Sequence, residues 1–264
     1  MNKPDFFILS FERSGTTTLW EYLVRHSGIA RTDKEIFFFN EFWDNGKKWY
    51  SKHFHKKNLN LLQCDATTRY LGDKLALERM DGFIPKTTKF VIILRNPIHR
   101  AMSHWRLRMS RDFENRLGLT PRIKDISDVY KDLTYEDFYK RYCNANNVLL
   151  SKYPFVVMPH HFNIISNGRY EEHLKRLWKI YPRKYSYVFK AEDLFTKPVE
   201  TYKKVIKFLG LKEEIPSCVK QGSNFGPKYF KYDITEEEIQ LLSDYYKPLN
   251  EKLYKLLGVR YNWK

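Results

Sequence analysis

Cysteine is scarce: Cys64, Cys143 and Cys218 are the only three in 264 residues, odd in number and far apart. Such usage offers neither a disulfide framework nor a cysteine-rich zinc site, and it suits a reducing compartment. Long apolar runs are missing too. Phe6-Phe7-Ile8-Leu9, which follows the first five residues, is too short for a signal-peptide core, and no small-residue cleavage site comes after it. No run approaches the length a bilayer-spanning helix needs, so a cytoplasmic location is expected. Repeats and low-complexity segments are absent, and no linker divides the chain, so one domain over residues 1–264 is expected. Acidic residues are in deficit, with 31 Asp plus Glu against 47 Lys plus Arg and a formal net charge of +16. That balance favours anionic partners without choosing among nucleotide phosphates, nucleic acid, acidic glycans and anionic lipid.

What is present is core-forming. Hydrophobic residues make up 42% and aromatics 17%, enough for a sizeable core and too much for wholesale disorder. Residues 6–10, 61–64 and 185–189 read as strands, and residues 89–94 more strongly so, because Phe90-Val91-Ile92-Ile93-Leu94 is a continuous apolar run. Runs of that kind suit parallel strands covered on both faces. Residues 16–26, 135–148, 170–181, 198–209 and 235–257 read as helices, as does the segment opened by Asn96-Pro97, while polar residues 111–131 read as an irregular insertion. Thr235 and Glu238 have the spacing of a capping box. The alternation predicts an α/β fold of three layers, a central mainly parallel sheet flanked by helices.

Between the first strand and the first helix lies Ser10-Phe11-Glu12-Arg13-Ser14-Gly15-Thr16-Thr17-Thr18. Backbone N–H groups and a helix N-terminus point at an anion in such a joint. Against the nucleotide P-loop pattern the segment keeps Gly15 and Thr17, but Thr16 stands where the lysine belongs and the basic side chain comes earlier, at Arg13. Magnesium-dependent phosphoryl transfer from a nucleoside triphosphate is thereby disfavoured. The plainer reading is a strand–turn–helix joint whose hydroxyls cap the helix. A second candidate anion site follows the strongest strand. Arg95 leaves its C-terminal end, where ligands bind in such sheets, and Ser103 comes eight positions later on the next helix. A bidentate guanidinium with a hydroxyl suits a terminal phosphate; the plainer alternative is an arginine capping a neighbouring helix.

Together these segments resemble the PAPS-dependent sulfotransferases, whose donor is 3′-phosphoadenosine 5′-phosphosulfate. Arg13-Ser14-Gly15-Thr16-Thr17 matches the [KR]-x-G-T-T loop, and Arg95-Asn96-Pro97 with Arg100 and Ser103 matches R-[ND]-P-x-x-R-x-x-S. The pattern is similar especially to the heparan sulfate N- and 3-O-sulfotransferase domains. Lys34-Glu35-Ile36-Phe37-Phe38-Phe39-Asn40 resembles their segment with the catalytic carboxylate, and Asp65-Ala66-Thr67-Thr68-Arg69-Tyr70 resembles their E-x-[ST]-P-x-Y segment. Later matches at Gly168-Arg169-Tyr170, Glu192-Asp193-Leu194 and Phe208-Leu209-Gly210 extend the likeness over nearly the whole chain. The resemblance implies a sulfotransferase fold related to nucleotide kinases. It assigns the 5′-phosphosulfate to Arg13, Ser14, Gly15, Thr16, Thr17 and Thr18, and the 3′-phosphate to Arg95 and Ser103. It makes Glu35 the general base, with Arg13 stabilising the charge that develops in transfer. Gly226 and Lys228 would close over the donor, and Lys34, Asp65 and Arg69 would meet the acceptor. Adenosine 3′,5′-bisphosphate would be the product, with no metal required, a saccharide or other hydroxyl or amine as acceptor, and no nucleic-acid partner.

The chain departs from the pattern in places. Ala66 replaces the lysine of E-K-[ST]-P and Asp65 its acid; Leu107, Arg108 and Arg111 occupy the region where some relatives carry a histidine; and the basic residue of the K-G-R loop has moved to Lys228. His160-His161 lacks a nearby carboxylate or thiol to complete a ligand set. Two rivals remain: a small-molecule kinase with a degenerate P-loop, and a non-catalytic polyanion-binding protein.

Overall fold

The computed structural model describes residues 1–55, 60–104, 107, 164–222 and 236–263, the side chains at 237, 238 and 241 aside. Strands β1 (Phe6–Leu9), β2 (Cys64–Asp65), β3 (Lys89–Leu94) and β4 (Ser186–Lys190) form one parallel sheet in the order β2-β1-β3-β4. Phe6 pairs with Lys89 and Leu9 with Ile92, while Phe90 pairs with Ser186 and Leu94 with Lys190. Two isolated parallel bridges, Ile29 with Leu62 and Lys34 with Ala66, run the segment after the first helix alongside β2.

The helices are α1 (Thr16–Leu23), α2 (Gly46–Ser51), α3 (Lys74–Asp81), α4 (residues 97–104), α5 (Tyr170–Ile180), α6 (Ala191–Thr196), α7 (Pro198–Leu209), α8 (Ser217–Lys220) and α9 (Glu236–Leu257). The unbroken apolar runs of β1 and β3 exist because both faces of the sheet are covered. Phe7, Leu9, Phe90, Ile92 and Leu94 pack against residues of α2, α3, α5 and the end of α9. Phe6, Ile8, Val91 and Ile93 pack against α1, α6, α7 and α8. Each such side chain contributes roughly 1.5–3 kcal/mol on burial. The result is the expected three-layer α/β fold. Among the described residues no helix is long and apolar enough to cross a membrane.

Contacts gather the chain into two compact units. The first (Met1–Asn96, Arg169–Gly226 and Pro248–Lys264) holds the sheet and both core clusters. The second comprises Pro97–Gly168 and Pro227–Lys247. Within it the Arg100 guanidinium is fully buried and donates to the Ile164 carbonyl, and the Tyr246 hydroxyl donates to the Ile165 carbonyl at 2.9 Å.

The expected elements and the observed ones differ at their ends. Helix α1 stops at Leu23, short of residue 26, because the chain tightens there: His26 N–H bonds the Leu23 carbonyl, and the Gly28 N–H donates to His26 Nδ1 at 2.9 Å. Strand β2 begins at Cys64, since Leu62 pairs with Ile29 in an isolated bridge. Helices α2, α3, α6 and α8 are not among the expected ones. The insertion at 111–131, the helix at 135–148, His160, His161 and the Thr235 cap lie outside the described residues.

Candidate functional site

The loop from Ser10 to Gly15 leaves the C-terminal end of β1. Ser10 is buried and its hydroxyl donates to the Ile93 carbonyl at 2.5 Å, which ties the ends of β1 and β3 together. Arg13 (φ 72°) and Gly15 (φ 92°) both lie in the left-handed region, with Ser14 between them. Alternation of this kind curls the backbone into an anion-binding concavity. The Ser14 hydroxyl is fully buried and, among the described residues, has no hydrogen-bond partner. An orphaned buried hydroxyl in such a loop fits a ligand oxygen, since leaving it unpaired is costly. Thr16 and Thr18 are buried in the first turn of α1, while Thr17 is half-buried.

Arg95 follows β3, and its Nη1 donates to the Arg13 carbonyl at 2.7 Å. The two cationic residues singled out from separate motifs therefore meet at one sheet edge. The Arg95 backbone is fixed as well: its carbonyl accepts from the Tyr170 hydroxyl at 2.7 Å. The next N–H, that of Asn96, donates to Glu192 Oε1 at 2.9 Å, and Glu192 Oε2 accepts from the Trp263 indole at 3.1 Å. Ser103 belongs to the second unit, on α4. Gly226 and Lys228 lie outside the described residues.

Glu35 sits on the loop beyond the Lys34–Ala66 bridge, with its own φ at 58° and that of Phe37 at 54°. Strained backbone of this kind persists where surroundings over-determine it. Here the Glu35 side chain, 25% exposed, accepts from Lys34 Nζ at 2.7 Å on Oε1, and from both the N–H and the hydroxyl of Thr68 at 3.1 Å on Oε2. The pairing with Lys34 is real, but the carboxylate is also aimed by two donors from the neighbouring turn. Lys34 further lines an open cavity of about 610 Å³ with Trp20, Ile29, Arg31, Asp33 and His55.

Asp65 stands differently from what a substrate contact requires. Asp65 is 0% exposed, and its carboxylate accepts from Tyr50 Oη (2.8 Å), Tyr70 Oη (3.2 Å) and Thr67 Oγ1 (2.6 Å). A carboxylate with no accessible surface has nothing to offer an acceptor. Burial pushes it up to about 6, against the pull of those hydroxyls. Burial likewise pushes the Tyr50 and Tyr70 phenols well above their ordinary range, with Asp65 adding to the effect. Arg69 is committed to two carboxylates, Glu12 at 3.1 Å and Glu41, while its guanidinium lies 4.9 Å over the Phe37 ring. It thus joins the loop carrying Arg13 to the loop carrying Glu35.

Several contacts here have no signal in the sequence. Glu12, Glu41 and Tyr50 reach their partners only through the fold. Phe195, 39% exposed on α6, lies so close to Gly15 that a Cβ there would stand 2.9 Å from its ring. Glu192 belongs to a matched scaffold segment, yet nothing in that segment indicates that it holds Asn96.

A family model described as "Sulfotransferase domain" matches residues 3–240. Among curated proteins, a mouse heparan sulfate glucosamine 3-O-sulfotransferase 6 is 22% identical over 98% of this chain and 73% of its own length. Mouse heparan sulfate glucosamine 3-O-sulfotransferase 3B1 is 23% identical over 98% of this chain and 65% of its own. The membrane-associated sulfotransferase kil1 of Dictyostelium discoideum is 23% identical over 99% of this chain and 66% of its own. The chain thus spans about two thirds to three quarters of these relatives' lengths. Among solved structures, a sulfotransferase from Alicyclobacillus acidocaldarius superposes with a TM-score of 0.71 at 19% identity, over 99% of this chain and 98% of that one. The sulfotransferase domain of the curacin biosynthetic pathway reaches 0.51 at 14% identity, over 98% and 99%.

Proposed function

Because the chain belongs to the sulfotransferase domain family, and is an enzyme of that class, we propose that its donor is PAPS and its acceptor a hydroxyl or amine, most naturally of a saccharide. In this reading the amides around Ser14 and Gly15 and the hydroxyls of Ser14, Thr16, Thr17 and Thr18 receive the 5′-phosphate. Arg13 meets the bridging and sulfuryl oxygens, and Arg95 meets the 3′-phosphate. The acceptor oxygen or nitrogen attacks sulfur in line. The bond from sulfur to the bridging oxygen breaks, its electrons leave with adenosine 3′,5′-bisphosphate, and the acceptor's proton passes to Glu35. Fixed donors act where charge develops, which lowers the barrier without a metal having to be invoked.

The observation that carries the reading is the 2.7 Å hydrogen bond from Arg95 to the Arg13 carbonyl. It holds the Arg95 guanidinium against the backbone of the loop that carries Arg13, which supports the reading that one doubly phosphorylated nucleoside meets both residues. Arg69 adds support by joining Glu12, next to Arg13, to the ring of Phe37, next but one to Glu35. The saccharide acceptor leans on the names of the relatives and on the basic balance of the chain, and a cytoplasmic site of action belongs to the same proposal.

Calorimetry with adenosine 3′,5′-bisphosphate and with ATP–Mg²⁺ tests the donor. Bisphosphate binding that weakens about tenfold or more in Arg95→Ala, roughly the value of one charged hydrogen bond, is the expected result. Tight ATP binding without bisphosphate binding would favour a kinase instead. For the acceptor, labelled donor offered to saccharides, lipids, small metabolites and peptides identifies the class. Saccharide labelling is expected, and labelling confined to another class overturns that part.

A further inference from the structure

Behind the Glu35 carboxylate lies a second, inaccessible one. Asp65 closes β2 at 0% exposure, and among the described residues no lysine, arginine or histidine pairs with it. Three hydroxyls surround it instead, from Tyr50, Tyr70 and Thr67. A buried carboxylate without a cation is expensive, and packing alone would be met better by an apolar side chain of the same volume.

The cage leads to the base. Thr67 Oγ1 donates its single proton to Asp65 at 2.6 Å, which leaves its lone pairs to accept from the Phe37 N–H at 3.4 Å. Thr68, the next residue, gives both its N–H and its O–H to Glu35 Oε2. Glu35 and Phe37 hold left-handed backbone that ordinary side chains avoid, so something must pin the segment from behind. We propose that Asp65 is a positioning residue: by fixing the hydroxyl of Thr67 it sets the 67–68 turn that aims Glu35, and it touches neither donor nor acceptor. The proposal rests on Glu35 being the base.

Charge state matters to this arrangement. Only the ionised carboxylate can accept all three hydroxyl protons; once protonated, it must itself donate, and a hydroxyl of the cage has to turn. The groups facing Asp65 are Tyr50 from α2, Tyr70 and Thr67 from the following turn, Cys64 beside it on β2, and Glu35 from the neighbouring loop. Burial holds its titration at about 6, with the Glu35 charge pushing in the same direction. The aim of Glu35 therefore improves as pH rises through that value.

The test uses the full chain with labelled PAPS and water as the acceptor, alongside bisphosphate calorimetry. Glu35→Gln is expected to lower sulfate release about 100-fold or more with bisphosphate affinity retained. Asp65→Asn is expected to lower kcat roughly 10-fold, a loss typical of groups that orient a reacting one, with donor KM and bisphosphate affinity within about twofold of wild type. It should also abolish the wild-type inflection near pH 6. Should Asp65→Asn fail to fold, Thr67→Val keeps the buried acid and the side-chain volume and is expected to show the same split, with Thr67→Ser restoring the rate. The proposal is overturned if Glu35→Gln behaves as stated while Asp65→Asn or Thr67→Val keeps wild-type turnover. It is equally overturned if their loss appears as much in bisphosphate affinity as in kcat. If Glu35→Gln leaves turnover intact, the base reading fails and this proposal falls with it.

Discussion

Gly15, in the loop after β1, carries a conformation whose removal has two separable costs. Gly15 combines φ 92° with the Phe195 ring 2.9 Å from where a Cβ would stand. Gly15→Ala therefore meets a backbone penalty of about 1–2 kcal/mol and a steric one besides. Bisphosphate affinity should fall at least tenfold by calorimetry. Phe195→Ala added to it should recover the steric part and leave the backbone part. Full recovery would show that the left-handed turn is not needed. Asp65 supplies a second measurement at this scale, now of stability. Its ordinary value is 3.8 and burial raises it to about 6. Between those values the unfolded chain has released the proton and the native one has kept it, so native stability falls as pH rises through the window. The offset is worth about 3 kcal/mol once pH exceeds 6. Urea unfolding should therefore show the difference between Asp65→Asn and wild type moving in favour of the variant by about that much between about pH 3.5 and pH 7. A constant difference would mean that the buried acid keeps its ordinary ionisation.

At the scale of elements, the strands and the long helices were legible because their chemistry is local. The expected strand 89–94, built on the run Phe90–Leu94, matches β3 to the residue, and Pro198 at the first turn with Gly210 (φ 83°) as the cap marks both ends of α7. Helix α3 escaped because only Ala76, Leu77 and Met80 are buried in eight residues, too few to draw a periodic stripe. Its start depends on Asp73, whose carboxylate accepts from the N–H groups of Leu75 (2.9 Å) and Ala76 (3.2 Å). Asp73→Ala should cost about 1 kcal/mol in urea unfolding, and Asp73→Asn much less, because an amide oxygen can still accept. Equal losses in both would assign the effect to charge rather than to the cap. The candidate site divides in the same way. Arg13 and Arg95 announce themselves by motif, each at the end of a readable strand. The clamp of Glu12, Arg69 and Glu41 does not, since its members lie 57 and 28 positions apart and meet only through the parallel sheet. Nor does the burial of Asp65 show in sequence: the residue looks like any polar one in a matched segment until Tyr50 and Tyr70 close over it.

For the whole molecule, the formal charge of +16 and the candidate donor loop make different electrostatic demands. Where such charge lies on solvated side chains, salt screens it over roughly 10 Å at 0.1 M. A polyanion held by such a surface binds by releasing counterions, so its affinity drops steeply with added salt. A nucleoside bisphosphate in the loop would meet other groups: amides curled by two left-handed residues, the buried Ser14 hydroxyl, and an Arg95 fixed against the Arg13 carbonyl. Groups partly withdrawn from water are screened much less. Raising sodium chloride from about 50 to about 500 mM should therefore abolish retention on immobilised heparin, while bisphosphate affinity measured by calorimetry changes only about threefold or less. Parallel slopes for the two ligands would place the bisphosphate on the general basic surface rather than in the loop. The molecule would then be a polyanion binder, with its sulfotransferase fold kept as a scaffold.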